Sequence, residues 1–319
     1  DNAKIFRYKN RLRNFINYII QLSISLRNER FDCATIRLSA TGLELLLLYF
    51  YDIKIHLRLL NVNKNLQKRS STTKLLIAFY IKKALIHLTK SKIISCDTPS
   101  HYFLSDIENE FKINLNKVMI IPNASEKKQN IDNKEKTIDL IYAGIIDRSR
   151  NLQLIIEVID IIKDRNMKVC LLGNGPYYNE MKNKVMKYNA RDNIHLMGKV
   201  EYSKVKELYA KSKFGIDLSL FEKQEEQKIT YGSFSQKIPQ YLMNNIIPIV
   251  WDIEDLKHIK ESSVLIDPKN KVESLRSCFR NLNLDSNTND IKINTDIVSY
   301  EYWNEKRLKF MKSQIKNQF

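Results

Sequence analysis

Gly232-Ser-Phe-Ser-Gln-Lys-Ile-Pro-Gln-Tyr-Leu-Met-Asn-Asn-Ile-Ile-Pro-Ile-Val250 decides the fold. A polar loop with one glycine runs into a short helix, and the helix stops before an apolar strand that carries a proline. Such a unit aims backbone N–H groups at one spot, with a helix N-terminus behind them. This is a physical recipe for holding phosphate.

Upstream of that stretch, strands and helices alternate. Strand 138–143 ends at Gly144, strand 168–172 at Gly173-Asn-Gly175-Pro, and strand 194–197 at Gly198, with helices predicted over 151–164 and 177–189. Six of the seven glycines lie from Gly144 onward, four of them closing strands at the carboxyl edge, where open α/β sheets bind ligands. Before residue 124 the alternation also holds. A basic helix over 5–30 carries Phe6, Leu12, Phe15, Ile16, Ile19 and Ile20 as a core-facing stripe. Strand Asp32–Leu38 is followed by a helix capped by Ser39 or Thr41, then strand Ile53–Arg58. After these come a helix over 72–90, strand Lys92–Cys96, a helix over 99–112 and strand Lys117–Ile121. Strand–helix alternation implies parallel sheets with covered faces. The polar segment Ala124–Lys136 reads as a linker.

These residues, in this order, resemble the GT-B glycosyltransferases, in particular the large retaining group 1 (GT4-like) family. Its donor-sugar segment reads Pro-x-Lys-(apolar)-(apolar)-Glu-Tyr-(apolar)-Ala-x-Gly-x-Pro-Val-(apolar). Lys237, Tyr241, Pro248 and Val250 match it, and Gln240 stands at the glutamate. The resemblance implies two Rossmann-like α/β domains with parallel sheets facing a cleft. Residues 1–135 form the acceptor-side domain, 136–299 the nucleotide-sugar domain, and helix 300–319, with Trp303, packs back on the first. The chain begins without a first strand, so upstream residues are expected.

The same resemblance implies the site. Gly144-Ile-Ile-Asp-Arg148-Ser-Arg150 is similar to a loop whose two cations hold the donor diphosphate. Arg150 takes the lysine position, and Arg148 substitutes for the arginine replaced by Ile145. Arginine suits this task because its fork binds phosphate oxygens bidentately. Taken alone, this segment also fits a solvated basic loop. Gly173 and Gly175 match Gly-x-Gly-Pro after the second strand, and Gly198 with Lys199 lies along the nucleotide base. Ser235, Gln236 and Lys237 hold the diphosphate at the helix start, with Arg150 and Lys237 as the catalytic cations. Gln240 takes the ribose hydroxyls, accepting and donating through its amide. Ser233 falls where the family has a second carboxylate. In the first half, Arg58 and His101 stand at strand ends that face the cleft in relatives, and each also fits a solvated surface residue.

No metal-ligand spacing occurs among the cysteines Cys33, Cys96, Cys170 and Cys278, so a reduced, cytoplasmic setting is the reading. The resemblance implies no cofactor and a metal-independent site, with a UDP-, GDP- or dTDP-sugar as donor and a saccharide or lipid-linked saccharide as acceptor. The formal net charge is +17, and about +11 of it falls in residues 1–135. That excess fits an anionic membrane surface as a further partner, and equally a solvated lysine-rich surface. No apolar run reaches the ~20 residues of a membrane span, and no nucleic-acid reader motif is present. The leading function is sugar transfer in surface-polysaccharide synthesis by a peripheral enzyme. A non-catalytic sugar-nucleotide binder is the alternative.

Overall fold

The computed structural model describes residues 12–37, 42–59, 73–127, 135–225, 228–233, 235–284 and 293–316. The cap readings at Ser39 and Thr41, the start of the basic helix and the middle of the polar segment lie outside them. The chain divides into two compact units. One holds Asp1–Pro99, Phe103–Ile121 and Arg307–Phe319, the other Ser100–Tyr102 and Pro122–Lys306.

In the first unit the described elements are α1 (Leu12–Asn28), β1 (Cys33–Arg37), α2 (Glu44–Phe50), β2 (Lys54–Arg58), α3 (Thr73–Leu88), β3 (Ile93–Thr98), α4 (Leu104–Phe111) and β4 (Val118–Ile120). The four strands pair in parallel in the order β1-β2-β3-β4. β2 is buried at its centre and β3 along its whole length, as parallel strands covered on both faces are. Leu45 and Leu48 of α2 are buried, each stabilising by roughly 2 kcal/mol. The α1 stripe differs from the sequence reading. Among its residues of described burial Leu22 and Leu26 are buried, whereas Ile16 and Ile20 are 50% and 51% exposed. With isoleucines on more than one face, apolar spacing alone does not single out the packed one.

A charged network crosses this sheet. Asp97, one residue before the end of β3, is fully buried, accepting from His56 Nε2 at 2.9 Å and from Arg307 Nε at 2.7 Å, with Arg58 Nε at 3.6 Å. Ser95 Oγ meets the other ring nitrogen of His56 at 2.7 Å. Burial alone would raise the Asp97 carboxyl; the hydrogen bond from His56 and the charges of Arg307 and Arg58 outweigh it and hold it low.

The second unit runs β5 (Ile138–Ala143), α5 (Gln153–Glu157), α6 (Ile159–Asp164), β6 (Val169–Leu172), α7 (Tyr178–Lys187), β7 (Ile194–Gly198), α8 (Tyr202–Ala210) and β8 (Ser212–Asp217). A hairpin of β9 (Phe221–Glu225) and β10 (Lys228–Gly232) follows. The chain continues with α9 (Lys237–Leu242), β11 (Ile247–Trp251), β12 (Val264–Ile266), α10 (Lys271–Asn281) and α11 (Tyr300–Lys316), the last continuing into the first unit. Six parallel strands lie in the order β12-β11-β8-β5-β6-β7. The helix predicted over 151–164 is two short ones that break at Val158. The glycine-bearing loop before Lys237 is in part the end of the antiparallel hairpin, where Gly232 pairs with Phe221. Gly215 closes no strand. It lies inside β8, where a Cβ would stand 2.6 Å from the ring of the fully buried Tyr241.

Candidate functional site

β5 and β8 are neighbours at the centre of the larger sheet, and the chain departs from them in opposite directions. At such a switch point the loops after the two strands part and leave a crevice at the carboxyl edge. Here those loops are tied to each other. Arg150 Nη1 donates to Ser219 Oγ at 3.4 Å, and Asn151 Nδ2 donates to the Leu218 carbonyl at 2.8 Å. Trp251 Nε1 donates to that same carbonyl at 3.0 Å. Arg150 is aimed by a single 3-10 turn, Arg148–Arg150, capped by Asp147, whose Oδ1 accepts from Ser149 N at 2.7 Å.

Lys237 reaches the same strand ends from α9. Its Nζ lies 3.2 Å from Asp217 Oδ2 and 3.4 Å from Ser235 Oγ, and 5.2 Å from the centre of the Tyr142 ring. Ser235 Oγ also accepts from Lys237 N at 3.1 Å, so one hydroxyl sets the start of the helix and steadies the amine. Asp217 is fully buried, which alone would push its carboxyl up. Lys237 and hydrogen bonds from Ser219 and Ser235 reverse this and hold it ionised. Gly144 lets the lysine cross the end of β5: a Cβ there would meet Lys237 Cε at 2.9 Å and the Tyr142 hydroxyl at 3.0 Å. The arrangement places two cations, one countered by a buried carboxylate, at the end of two central strands. α9 has only six residues, so the charge at this spot rests on the two side chains more than on a helix dipole.

Glycines bring the next two loops close. Gly173 has φ +126°, and a Cβ there would stand 1.8 Å from the Gly144 carbonyl oxygen; at Gly175 it would stand 2.3 Å from that of Ile146. Hydrogen bonds from Gly173 N to Gly198 O (2.7 Å) and from Ile146 N to Asn174 O (3.1 Å) complete a rim of three strand ends. Gly198, with φ +64°, closes β7 beside Tyr178.

The remaining predicted residues are placed less tightly. Arg148 turns the other way: its Nη2 meets Glu180 Oε2 at 2.5 Å and its guanidinium lies over Tyr177, so it shares no hydrogen bond with Ser219 or Lys237. Gln236 and Gln240 are exposed on α9 or just before it, and the Gln240 carbonyl accepts from Asn244. Lys199 is exposed beyond β7. Trp303 packs within the second unit, donating to the Ile297 carbonyl at 2.8 Å and lying edge-on to His258. Among the described residues no group of three or more His, Cys, Asp or Glu could hold a metal ion.

Residues 123–227 match the family model of the glycosyl transferases group 1. The fold is GT-B, and residues 123–227 are similar to the glycosyl transferases group 1. Its fold is similar to that of the pneumococcal O-GlcNAc transferase GtfA, solved in complex with UDP and GlcNAc. The TM-score is 0.61 at 12% identity over 93% of this chain and 60% of that one. Anabaena Alr3699/HepE in complex with UDP gives a TM-score of 0.65 at 8% identity, over 94% and 83% of the two chains. A glycosyltransferase from Rickettsia africae gives 0.63 at 14%, over 99% and 85%. At such identities the likeness is one of GT-B fold. This chain spans about three-fifths of the pneumococcal protein's length. None of the curated proteins matches it in sequence.

Two acidic residues of the second unit stand out only in three dimensions. Asp217 sits in the apolar run Phe214–Leu220, with its lysine 20 residues on. Asp255 holds His101, 154 positions before it, together with Ser233, 22 positions before it. A lone acid at the end of the strand Ser212–Asp217 does not reveal its lysine, and for Asp255 the sequence carries no signal.

Proposed function

We propose that this chain is a retaining glycosyltransferase that moves a sugar from a nucleotide-diphosphate donor to a saccharide or lipid-linked saccharide acceptor. The observation that carries the reading is the convergence of Arg150 and Lys237 on the switch point between β5 and β8. The donor diphosphate lies there, against the glycine rim, where charge gathers on it as the bond from the anomeric carbon to phosphate breaks. Fixed cations placed where charge develops stabilise a transition state without reorganising. The acceptor hydroxyl attacks on the face that the diphosphate leaves and gives its proton to a diphosphate oxygen, so the configuration is retained. Gln240 holds ribose, and Gly198 with Lys199 flanks the base. The neutralising charge comes from the chain's own cations rather than a metal ion, so transfer is expected to survive EDTA. A role in surface-polysaccharide synthesis by a cytoplasmic enzyme resting on an anionic membrane suits the basic first 135 residues.

Calorimetry with UDP and GDP tests this. One of them is expected to bind, and Arg150→Ala should weaken the diphosphate far more than the corresponding nucleoside. Equal loss for both refutes the role of Arg150. Binding without sugar release from any UDP-, GDP- or dTDP-sugar favours a non-catalytic binder, the reading suggested by Ser233 and Gln240 in place of carboxylates.

A further inference from the structure

Asp255 follows β11, at the start of the 3-10 turn Glu254–Ser262, with its side chain 1% exposed. Four donors converge on its carboxylate. Oδ2 accepts from the Ser100 hydroxyl and from Ser233 N at 3.1 Å; Oδ1 accepts from His101 N at 2.7 Å and His101 Nδ1 at 2.8 Å. Gly232 closes the arrangement, since a Cβ there would stand 2.5 Å from Tyr102 Cβ and 2.9 Å from Ser100 Oγ. The hairpin end, the segment Ser100–Tyr102 and the turn after β11 are thus fastened around one buried anion, all within the second unit.

This fixes the chemistry of His101. An ionised carboxylate only accepts, so Nδ1 carries a proton and Nε2 of the neutral ring is left as an acceptor. The side chain is 37% exposed. A charged ring is cancelled by the carboxylate and a neutral ring leaves the pair net negative, so in neither state does the pair attract a phosphate. A neutral hydroxyl suits it better, because Nε2 accepts from a hydroxyl in one state and donates to it in the other. Asp255 is joined at Ser233 N to the chain two residues before Ser235, whose hydroxyl steadies Lys237. Ser233 itself has no carboxylate to offer a sugar.

We propose that His101, aimed by Asp255, is the side chain that hydrogen-bonds a hydroxyl of the transferred sugar. The assignment rests on the nucleotide-sugar reading above and names the group that recognises the sugar within it. Asp255 acts through His101 and is a positioning residue. The hydrogen bond to Asp255 raises the imidazole above its ordinary value, partial burial opposes this, and Glu254 and Lys257 raise and lower it respectively.

Histidine-ring NMR on the full chain is the test, after UDP or GDP binding has been measured by calorimetry. Of the five histidines, His101 is identified by the signal lost in His101→Gln. That signal is expected to move on adding the UDP-, GDP- or dTDP-sugar that binds, and to stay in place with the nucleotide diphosphate alone. His101→Gln should keep diphosphate affinity within about two-fold and lose about ten-fold for the sugar nucleotide, as one hydrogen bond implies. Asp255→Asn, which keeps an acceptor but not the charge, should lower the titration midpoint of His101 with the ring still present. Nucleotide binding with the His101 signal unmoved by every sugar nucleotide overturns the assignment and leaves the donor reading standing. Failure of both nucleotides to bind overturns the donor reading and this assignment together.

Discussion

Lys237 and Asp217 are worth more together than either is alone. The carboxylate is buried and the amine lies 3.2 Å away, with little of either side chain exposed. Replacing the lysine with methionine leaves an uncompensated charge, an operation that costs about 3 kcal/mol or more in buried pairs. The pH dependence then changes sign. In the native chain Asp217 lies below its unfolded value, so its contribution is complete above about pH 4 and is lost as pH falls through the folded value. In Lys237→Met only the hydrogen bonds from Ser219 and Ser235 still oppose burial, the largest influence, so the carboxyl is expected to rise above its unfolded value, and the deficit is largest at neutral pH and shrinks as pH falls toward 4. Urea unfolding at pH 7.5 and pH 5 should show this narrowing, and adding Asp217→Asn should recover much of the loss. A deficit that does not vary with pH would show that Asp217 is not the group left stranded. Lys237 was legible in the sequence because it stands at a fixed place between a polar loop and an amphipathic turn. Asp217 and Asp255 were not, since a buried acid is explained only by donors that arrive from other elements.

The rim of the sheet is set by backbone clearance at the element scale. Gly173 and Gly198 both have positive φ, yet their surroundings differ. A Cβ at Gly198 would have 3.7 Å to its nearest neighbour, whereas at Gly173 it would fall 1.8 Å from a backbone oxygen. Gly198→Ala therefore meets the left-handed penalty of about 1 kcal/mol, while Gly173→Ala must also push two strand ends apart and should cost about 3 kcal/mol. Chemical unfolding of the second unit ranks the two, and the reverse order is incompatible with the close approach of Gly173 to Gly144. Parallel strands and their closing glycines were readable because period and punctuation are local. The β9–β10 hairpin was not. Phe221–Gly232 is rich in Glu, Lys and Gln and carries no Asn-Gly or Asp-Gly turn, so it reads as solvated loop, and its pairing is known only once both strands are placed. The break at Val158 was also hidden, since the apolar pattern on either side continues through it.

The whole molecule has two units and a fluorescence reporter for only one. Both tryptophans, Trp251 and Trp303, belong to the second unit, and Trp251 is fully buried. The Asp97 network belongs to the first. There the carboxylate is held low by His56, Arg307 and Arg58 against its own burial, so its stabilisation is present above the unfolded carboxylate value, about pH 4, and is lost in acid below it. Arg307→Leu removes the 2.7 Å partner and keeps much of the apolar stem. At pH 7 the first unit should lose about 3 kcal/mol, as buried pairs do when one member is taken away. Two units that unfold separately do not share one transition. The far-UV circular dichroism melt of Arg307→Leu should therefore gain an early phase, while the tryptophan emission melt and the affinity for UDP or GDP stay where they were. An equal shift of both melts would mean that the units unfold as one cooperative body. Unchanged melts would mean that His56 and Arg58 suffice to hold Asp97. An early phase confined to circular dichroism locates the network's contribution in the first unit, apart from the switch point where Arg150 and Lys237 meet.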